Sequence, residues 1–168
     1  MKSSGFFILA IGVLLCVGLA SCSDDDNYSP VKEGYSWELK KIKSTSVETS
    51  DDDVLSLVSE YVDNYRTVSG SVFYSYRFLN DNSYQFYVNY ALPVEGKYTT
   101  DGNNIKFEDA TMTGVVGKDV IYITTDLRER AAKALGIDVD KITKAVIEEE
   151  YHAEPYYYGE YPGTTYSE

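Results

Sequence analysis

Apolar and polar residues alternate along two neighbouring stretches, and this pattern constrains the fold more than any other feature of the sequence. The first stretch covers residues 71–78 and the second residues 83–90, with the turn-forming cluster Asn80-Asp81-Asn82 between them. A period of two residues puts alternate side chains on opposite faces of a strand. The sequence therefore predicts an antiparallel hairpin with one strongly aromatic face, whose candidate ligand-contacting residues are Tyr74, Tyr76, Tyr84 and Phe86.

Further strands are predicted on both sides of this hairpin. Residues 35–40 alternate around Trp37, the single tryptophan, and residues 94–100 lead into Asp101-Gly102, a strong hairpin signal. Ile105 and Phe107 share one face of the next strand, and residues 120–125 are predicted to be a strand because all but Tyr122 are β-branched. Residues 44–50 and 113–117 are predicted to be loops, the second with a bulge as the alternative.

Two segments have helical periodicity. Residues 53–65 carry one apolar stripe after the capping run Asp51-Asp52-Asp53, and a second helix is predicted after Thr125 or Asp126, ending at Gly136. Residues 141–151 fit a helix or a strand, and the preceding strands favour a closing strand. The predicted fold class is therefore α+β: an antiparallel β-meander forming a barrel or half-barrel, with two or three short helices, over residues 34–154. Residues 155–168 form a Tyr- and Gly-rich tail without an apolar face.

The N-terminus has the parts of a secretory signal. Lys2 precedes an apolar run over residues 6–20, which is shorter than the about 20 residues that a transmembrane helix needs. Leu19-Ala20-Ser21-Cys22 resembles the lipobox of bacterial lipoproteins. That resemblance implies cleavage of residues 1–21 and lipidation of Cys22. An ordinary signal peptide with a chance cysteine, or an uncleaved signal anchor, is the alternative.

An acidic run follows the cysteine. Ser23-Asp24-Asp25-Asp26 resembles the export signal of Bacteroidota lipoproteins, which implies an outer-membrane protein, lipid-anchored and facing the cell exterior. A solvated linker that keeps the domain off the bilayer is the other interpretation of the same residues. Either way, residues 22–33 are predicted to be an acidic, flexible tether.

Charge and cysteine content exclude several classes of function. The net charge of −12 argues against a nucleic-acid partner, because phosphate binding relies on clustered Lys and Arg. The lipobox resemblance implies that, of the two cysteines, Cys16 lies in the discarded signal and Cys22 carries lipid, so we expect the mature chain to have no thiol for a disulfide, a metal or catalysis. The about 147 mature residues are enough for one domain.

The sequence offers little that could carry catalysis. His152 is the single histidine, and neither a nucleophile elbow nor a phosphate-binding glycine loop is present. Carboxylates of Glu108-Asp109 and Glu148-Glu149-Glu150 could act as a pair only if the fold brings them to one cleft. Calcium binding by residues 51–53 lacks the other ligands of an EF-hand. We therefore predict a non-enzymatic protein without cofactor or metal.

The opening strand with Trp37 and the turns at residues 80–82 and 101–102 resemble the small lipocalin-like domains of Bacteroidota lipoproteins. The resemblance covers residues 35–125 and implies a sheet that curls into a barrel. A helix inserted between the first two strands departs from it and argues against a closed, ligand-holding barrel. The resulting hypothesis is a surface module that binds a glycan, a small apolar ligand or a partner protein. The alternative is a structural subunit of a surface complex or pilus-like structure.

Overall fold

The chain folds into a closed antiparallel barrel with two helices at one end. The computed structural model describes residues 27–66, 68, 71–89 and 91–156. The elements, in order, are β1 (Tyr35–Thr49), α1 (Asp52–Asp63), β2 (Tyr74–Phe78), β3 (Ser83–Val88), β4 (Val94–Asp101), β5 (Asn104–Phe107), β6 (Met112–Val116), β7 (Val120–Asp126), α2 (Arg128–Leu135), a 3₁₀ turn (Val139–Lys141) and β8 (Ile142–Pro155). Each strand pairs with the next and β8 pairs with β1, so the predicted meander is confirmed.

The inserted helix does not prevent closure, so the expectation that it argues against a closed barrel is wrong. β1 and β2 pair at Trp37 with Tyr76 and at Glu38 with Ser75. Beyond Glu38, β1 continues alongside β8 as a ribbon that extends past β2. α1 follows this extension and packs against its inner face, where Val54, Val58 and Val62 are buried.

The pairing of β1 with β8 is interrupted by three bulges, two of which leave Lys40 and Lys43 as extra residues. Residues 44–50 are predicted to be a loop, but β1 continues to Thr49. The prediction is wrong because a bulge breaks the alternation of faces by which a strand is recognised in the sequence. Lys40, Lys41 and Lys43 bind Glu154, Glu150 and Glu148 across the strands, at 2.7, 3.1 and 3.1 Å. The outer face of this ribbon is thus a ladder of ion pairs.

Other boundaries differ from the predicted ones for local reasons. Residues 113–117, predicted to be a loop, lie mostly in β6, where Met112, Gly114 and Val116 face inward. Gly114 weakens the apolar pattern, yet a side chain there would press on Ile105 at 3.3 Å. Helix α2 has Leu127 at its N-cap, while Asp126 accepts the Arg128 N–H. The closing strand favoured for residues 141–151 is confirmed as β8.

The antiparallel order gives the barrel two distinct ends. We call the end at Tyr35 the N-terminal end; it also carries the turns at residues 79–82, 102–103 and 117–119. The opposite, helical end carries α1, α2 and the loop residues 91–93 and 108–111. Among the described residues, neither helix is long and apolar enough to cross a membrane.

The segment before β1 packs across the N-terminal end. The buried indole of Trp37 donates its Nε1–H to the Pro30 carbonyl at 2.7 Å, and the Tyr28 N–H donates to Asn103 Oδ1 at 2.7 Å. Lys32 pairs with Asp119 at 2.6 Å. Within the predicted tether of residues 22–33, the segment from Tyr28 to Lys32 is therefore bound to the barrel. The bond to Pro30 forms because a buried indole N–H needs an acceptor.

Replacement of Trp37 tests how much this end contributes to stability. Trp37 is fully buried, so Trp37→Ala should lower the free energy of unfolding by about 3–5 kcal/mol. Trp37→Phe keeps an aromatic ring and mainly loses the bond to Pro30, so it should cost about 1–2 kcal/mol. Urea unfolding followed by circular dichroism measures both. A loss below about 1 kcal/mol for Trp37→Ala would contradict a core role.

Candidate functional site

The aromatic side chains singled out from the hairpin divide into two groups. Tyr76 and Tyr84 are buried in the barrel, where the centroids of their rings lie 5.7 Å apart. Tyr76 meets Tyr151 of β8 edge-on at 5.2 Å, and Tyr84 meets Phe107 of β5 at 5.2 Å. Rings from β2, β3, β5 and β8 thus touch across the barrel. Its interior is filled by its own aromatic side chains at this level.

Tyr74 and Phe86 are half-buried and lie nearer the helical end, with ring centroids 6.3 Å apart. The guanidinium of Arg66 lies 4.9 Å from the Tyr74 ring, 5.0 Å from the Phe86 ring and 4.5 Å from the Tyr65 ring. Three aromatic rings therefore surround one cation, an arrangement that cation–π attraction stabilises. Tyr74 and Phe86, two of the four candidate ligand-contacting residues, therefore contact Arg66 of the same chain.

Arg66 has a buried partner inside the barrel. Its Nε–H donates to Glu149 Oε1 at 3.1 Å, and the Glu149 side chain is 1% exposed. Glu149 Oε2 and the Tyr151 hydroxyl are both buried, and the two side chains are close enough to interact with each other. Burial raises the pKa of Glu149, and Arg66 opposes this shift. Burial and the Glu149 charge raise the pKa of Tyr151.

Sequence reasoning named Glu149 only as one of three adjacent carboxylates. The structure separates them, since Glu148 and Glu150 lie on the outer face with Lys43 and Lys41 while Glu149 faces the interior. A signal was present in the sequence, because Glu149 falls in phase with Ala145, Ile147 and Tyr151 on an apolar strand face. Arg66 follows the end of α1 and had no such signal.

The remaining candidates for chemistry lie apart from this pair. Asp109 accepts from Arg130 Nη2 at 2.7 Å at the helical end, and Glu108 is exposed. His152 is exposed on the outer face, 2.8 Å from Glu150. Within the described ranges, no three residues of His, Cys, Asp or Glu are grouped to hold a metal ion.

Exposed apolar side chains are concentrated at the helical end. Eight large hydrophobic residues in the described part of the chain are exposed, and two of them, Tyr35 and Val115, belong to other regions of the barrel. The other six lie at the helical end, on α1, on the connections that follow α1 and β3, at the start of β4 and on the 3₁₀ turn. They are Leu55, Leu57, Val68, Leu92, Val94 and Val139. Clustering of exposed apolar residues is typical of interaction surfaces.

A groove opens between α1 and α2 at this end. Its volume is about 520 Å³, and its lining residues are Leu57, Glu60, Tyr61, Asn64, Tyr65 and Leu135. Arg130 of α2 donates to the Tyr65 hydroxyl and to Asp109, which joins the end of α1 to α2 and to the loop after β5. The groove is therefore held between two elements that are fixed relative to each other.

The comparisons give no relative from which to assign a function. No protein-family model, no curated protein and no solved structure matches the chain.

The buried pair of Arg66 and Glu149 predicts an unusual pH dependence of the free energy of unfolding. Because the pKa of Glu149 is raised by folding, folded protein holds this proton to higher pH than the unfolded chain, and stability is lost as the pH rises above the ordinary value of 4.5. Glu149→Gln has no such titration. The free energy of unfolding of the wild type, minus that of Glu149→Gln, should therefore fall between pH 4 and the raised pKa.

Urea unfolding of both proteins at several pH values measures this difference, in which the titrations of all other groups cancel. A difference that grows with pH would mean that the attraction of Arg66 outweighs the effect of burial, contrary to the expected sign.

Proposed function

We propose that this chain is a lipid-anchored lipoprotein of the bacterial outer membrane, facing the cell exterior, whose barrel binds a partner protein at its helical end. The lipobox-like residues 19–22 and the acidic residues 23–26 support the anchor at Cys22 and the location. A closed barrel of eight antiparallel strands supports a lipocalin-like domain. The domain acts without catalysis.

The observation that carries this proposal is the position of the exposed apolar residues relative to the anchor. Five residues separate Cys22 from Tyr28, whose N–H is bound at the N-terminal end, and the chain from Cys22 to Tyr28 reaches at most about 20 Å. β1 then runs its 15 residues, about 50 Å along the strand, to the helical end. An anchor at Cys22 therefore keeps the N-terminal end near the membrane and directs the apolar residues away from it.

The spread of these residues favours a protein over a small ligand. They lie on α1, on the α1–β2 connection, on the loop before β4 and on the 3₁₀ turn. A single small molecule cannot cover elements that lie around the rim of a barrel, whereas a protein interface of about 800 Å² per partner can. The barrel interior is not a competing site at the level of Tyr76 and Tyr84, because their rings and those they touch fill it.

A small apolar ligand is a second candidate, favoured by one observation. The groove between α1 and α2 has a volume of about 520 Å³, within the range of small-molecule sites, and contains Leu57, Tyr61 and Leu135. Such a ligand would occupy the groove alone and would leave Leu92 uncovered.

A structural or pilus-like subunit that exchanges strands has less support. From Leu39 onward, the edge of β1 that faces away from β8 has no strand partner among the described strands. However, Lys40, Lys41 and Lys43 and two bulges lie on this stretch, and both features protect edges against pairing with other chains.

The anchor is tested by removing its attachment atom. Cys22→Ala should move the protein from the membrane fraction to the soluble fraction, because the thiol that would carry the lipid is absent. Fractionation of cells and immunoblotting against the folded domain measure the distribution. Retention of Cys22→Ala in the membrane fraction would show that the lipobox interpretation is wrong.

The partner-binding surface is tested by photo-crosslinking in cells. A photoreactive phenylalanine at position 57 should give a discrete adduct of higher mass, since Leu57 lies on the proposed interface. The same residue at position 115 is the matched control, because Leu57 and Val115 are both 48% exposed but only Leu57 is at the helical end. The same photoreactive residue at position 92 distinguishes a partner protein from a small ligand, because Leu92 does not line the groove.

Adducts at positions 57 and 92 but not at 115 support a protein partner. Equal adducts at positions 57 and 115, or none at 57 and 92, overturn the proposal. A small-molecule adduct at position 57 alone favours the ligand in the groove, which mass spectrometry identifies by a small mass increase.

A further inference from the structure

Helix α1 carries an unusual set of charges. Its 12 residues include four acids and neither Lys nor Arg. Asp63 accepts a hydrogen bond from Thr45, whereas Asp52, Asp53 and Glu60 are exposed and form no ion pair with other described residues. On β8, by contrast, the outward acids each pair with a lysine of β1. Asp52, Asp53 and Glu60 are thus accessible to a binding partner, because no basic side chain of the described residues pairs with them.

The same helix presents two apolar stripes. Val54, Val58 and Val62 form the buried one. Leu57 and Tyr61 are one turn apart on another stripe, on which Asp53, Glu60 and Asn64 also lie at helical spacing. Leu57, Glu60, Tyr61 and Asn64 of this second stripe line the groove, with Leu135 of α2 in its opposite wall. Apolar and acidic side chains are therefore interleaved along one accessible face.

The opposite wall does not neutralise this charge fully. Arg128 and Arg130 of α2 pair with Asp126 and Asp109, at 2.7 Å each, and are thereby engaged elsewhere. Lys133 is the remaining basic residue of α2 and is exposed. Glu60 is the one charged side chain among the residues that line the groove, and the exposed Asp53 lies on the same stripe of α1. The charge along this face of α1 is therefore negative.

We propose that the groove between α1 and α2 binds a basic amphipathic helix of the partner protein. This inference rests on the proposed partner-binding function and names the chemistry of the partner. Apolar residues of the partner helix would pack on Leu57, Tyr61 and Leu135, while its Lys and Arg side chains would meet Asp53 and Glu60. A groove between two helices suits an amphipathic helix with anchors at i, i+3, i+4 and i+7. Helix α1, about 18 Å long, matches three to four turns of such a helix.

The test uses the full-length lipidated protein in nanodiscs of zwitterionic phospholipid and two labelled model peptides. The first is a helix-forming 14-residue peptide with leucines at i, i+3, i+4 and i+7 and lysines on its flanks. The second has the same sequence with every lysine replaced by glutamate. Fluorescence anisotropy should give a dissociation constant for the lysine peptide at least about tenfold below that for the glutamate peptide.

Matched variants separate the groove from the overall negative charge. Leu57→Lys and Glu60→Lys should each weaken binding of the lysine peptide at least about tenfold. Val115→Lys introduces the same side chain at an equally exposed position outside the groove and should weaken it less than about twofold. Equal binding of the two peptides, or equal effects of Leu57→Lys and Val115→Lys, would overturn the inference.

Failures of the two proposals are distinguishable. Crosslinking at positions 57 and 92 in cells, together with equal binding of the two peptides, overturns the basic helix and leaves partner binding intact. Selective binding of the lysine peptide without any cellular crosslink at these positions supports the chemistry of the groove and overturns the proposed cellular function.

Discussion

Pairing between the first and the last strand is the interaction on which the rest of this structure depends. β1 and β8 run antiparallel from Tyr35 with Pro155 to Thr49 with Ile142, and no other pair of the described strands has so long a register. This ribbon closes the barrel along one half of its length. Its other half extends past β2 and offers the inner face on which both helices pack. The barrel and the helical end therefore share one support.

The molecule has two hydrophobic cores stacked along this ribbon, with one ion pair near the boundary. Aromatic rings fill the barrel, and smaller aliphatic residues fill the space beneath the helices. Glu149 lies between Ile147 of the second core and Tyr151 of the first, and Arg66 reaches it from the connection after α1. A buried charge pair contributes little net stability against an apolar alternative, but loss of one partner is costly. The pair therefore joins Arg66, just after α1, to Glu149 of β8.

Much of the fold could be predicted from the sequence, because a period of two residues directly reports a half-buried strand. The aromatic hairpin, the turn at Gly102 and the closing strand β8 were all predictable in this way. The second half of β1 was not, because bulges at Lys40 and Lys43 break the period. β6 was hidden by Gly114. The groove and the pair of Arg66 with Glu149 join residues far apart in the chain, and no local pattern encodes such contacts.

The closing of the barrel by its two terminal strands also affects when the domain can fold. β1 is made first, but the strand that completes its ladder is the last element of the barrel. Contacts between residues so distant in sequence form slowly, because the intervening chain must first be ordered. Until β8 is available, Trp37 and the inner face of β1 cannot be enclosed. A chain with this topology cannot complete its barrel until its last strand has been synthesised.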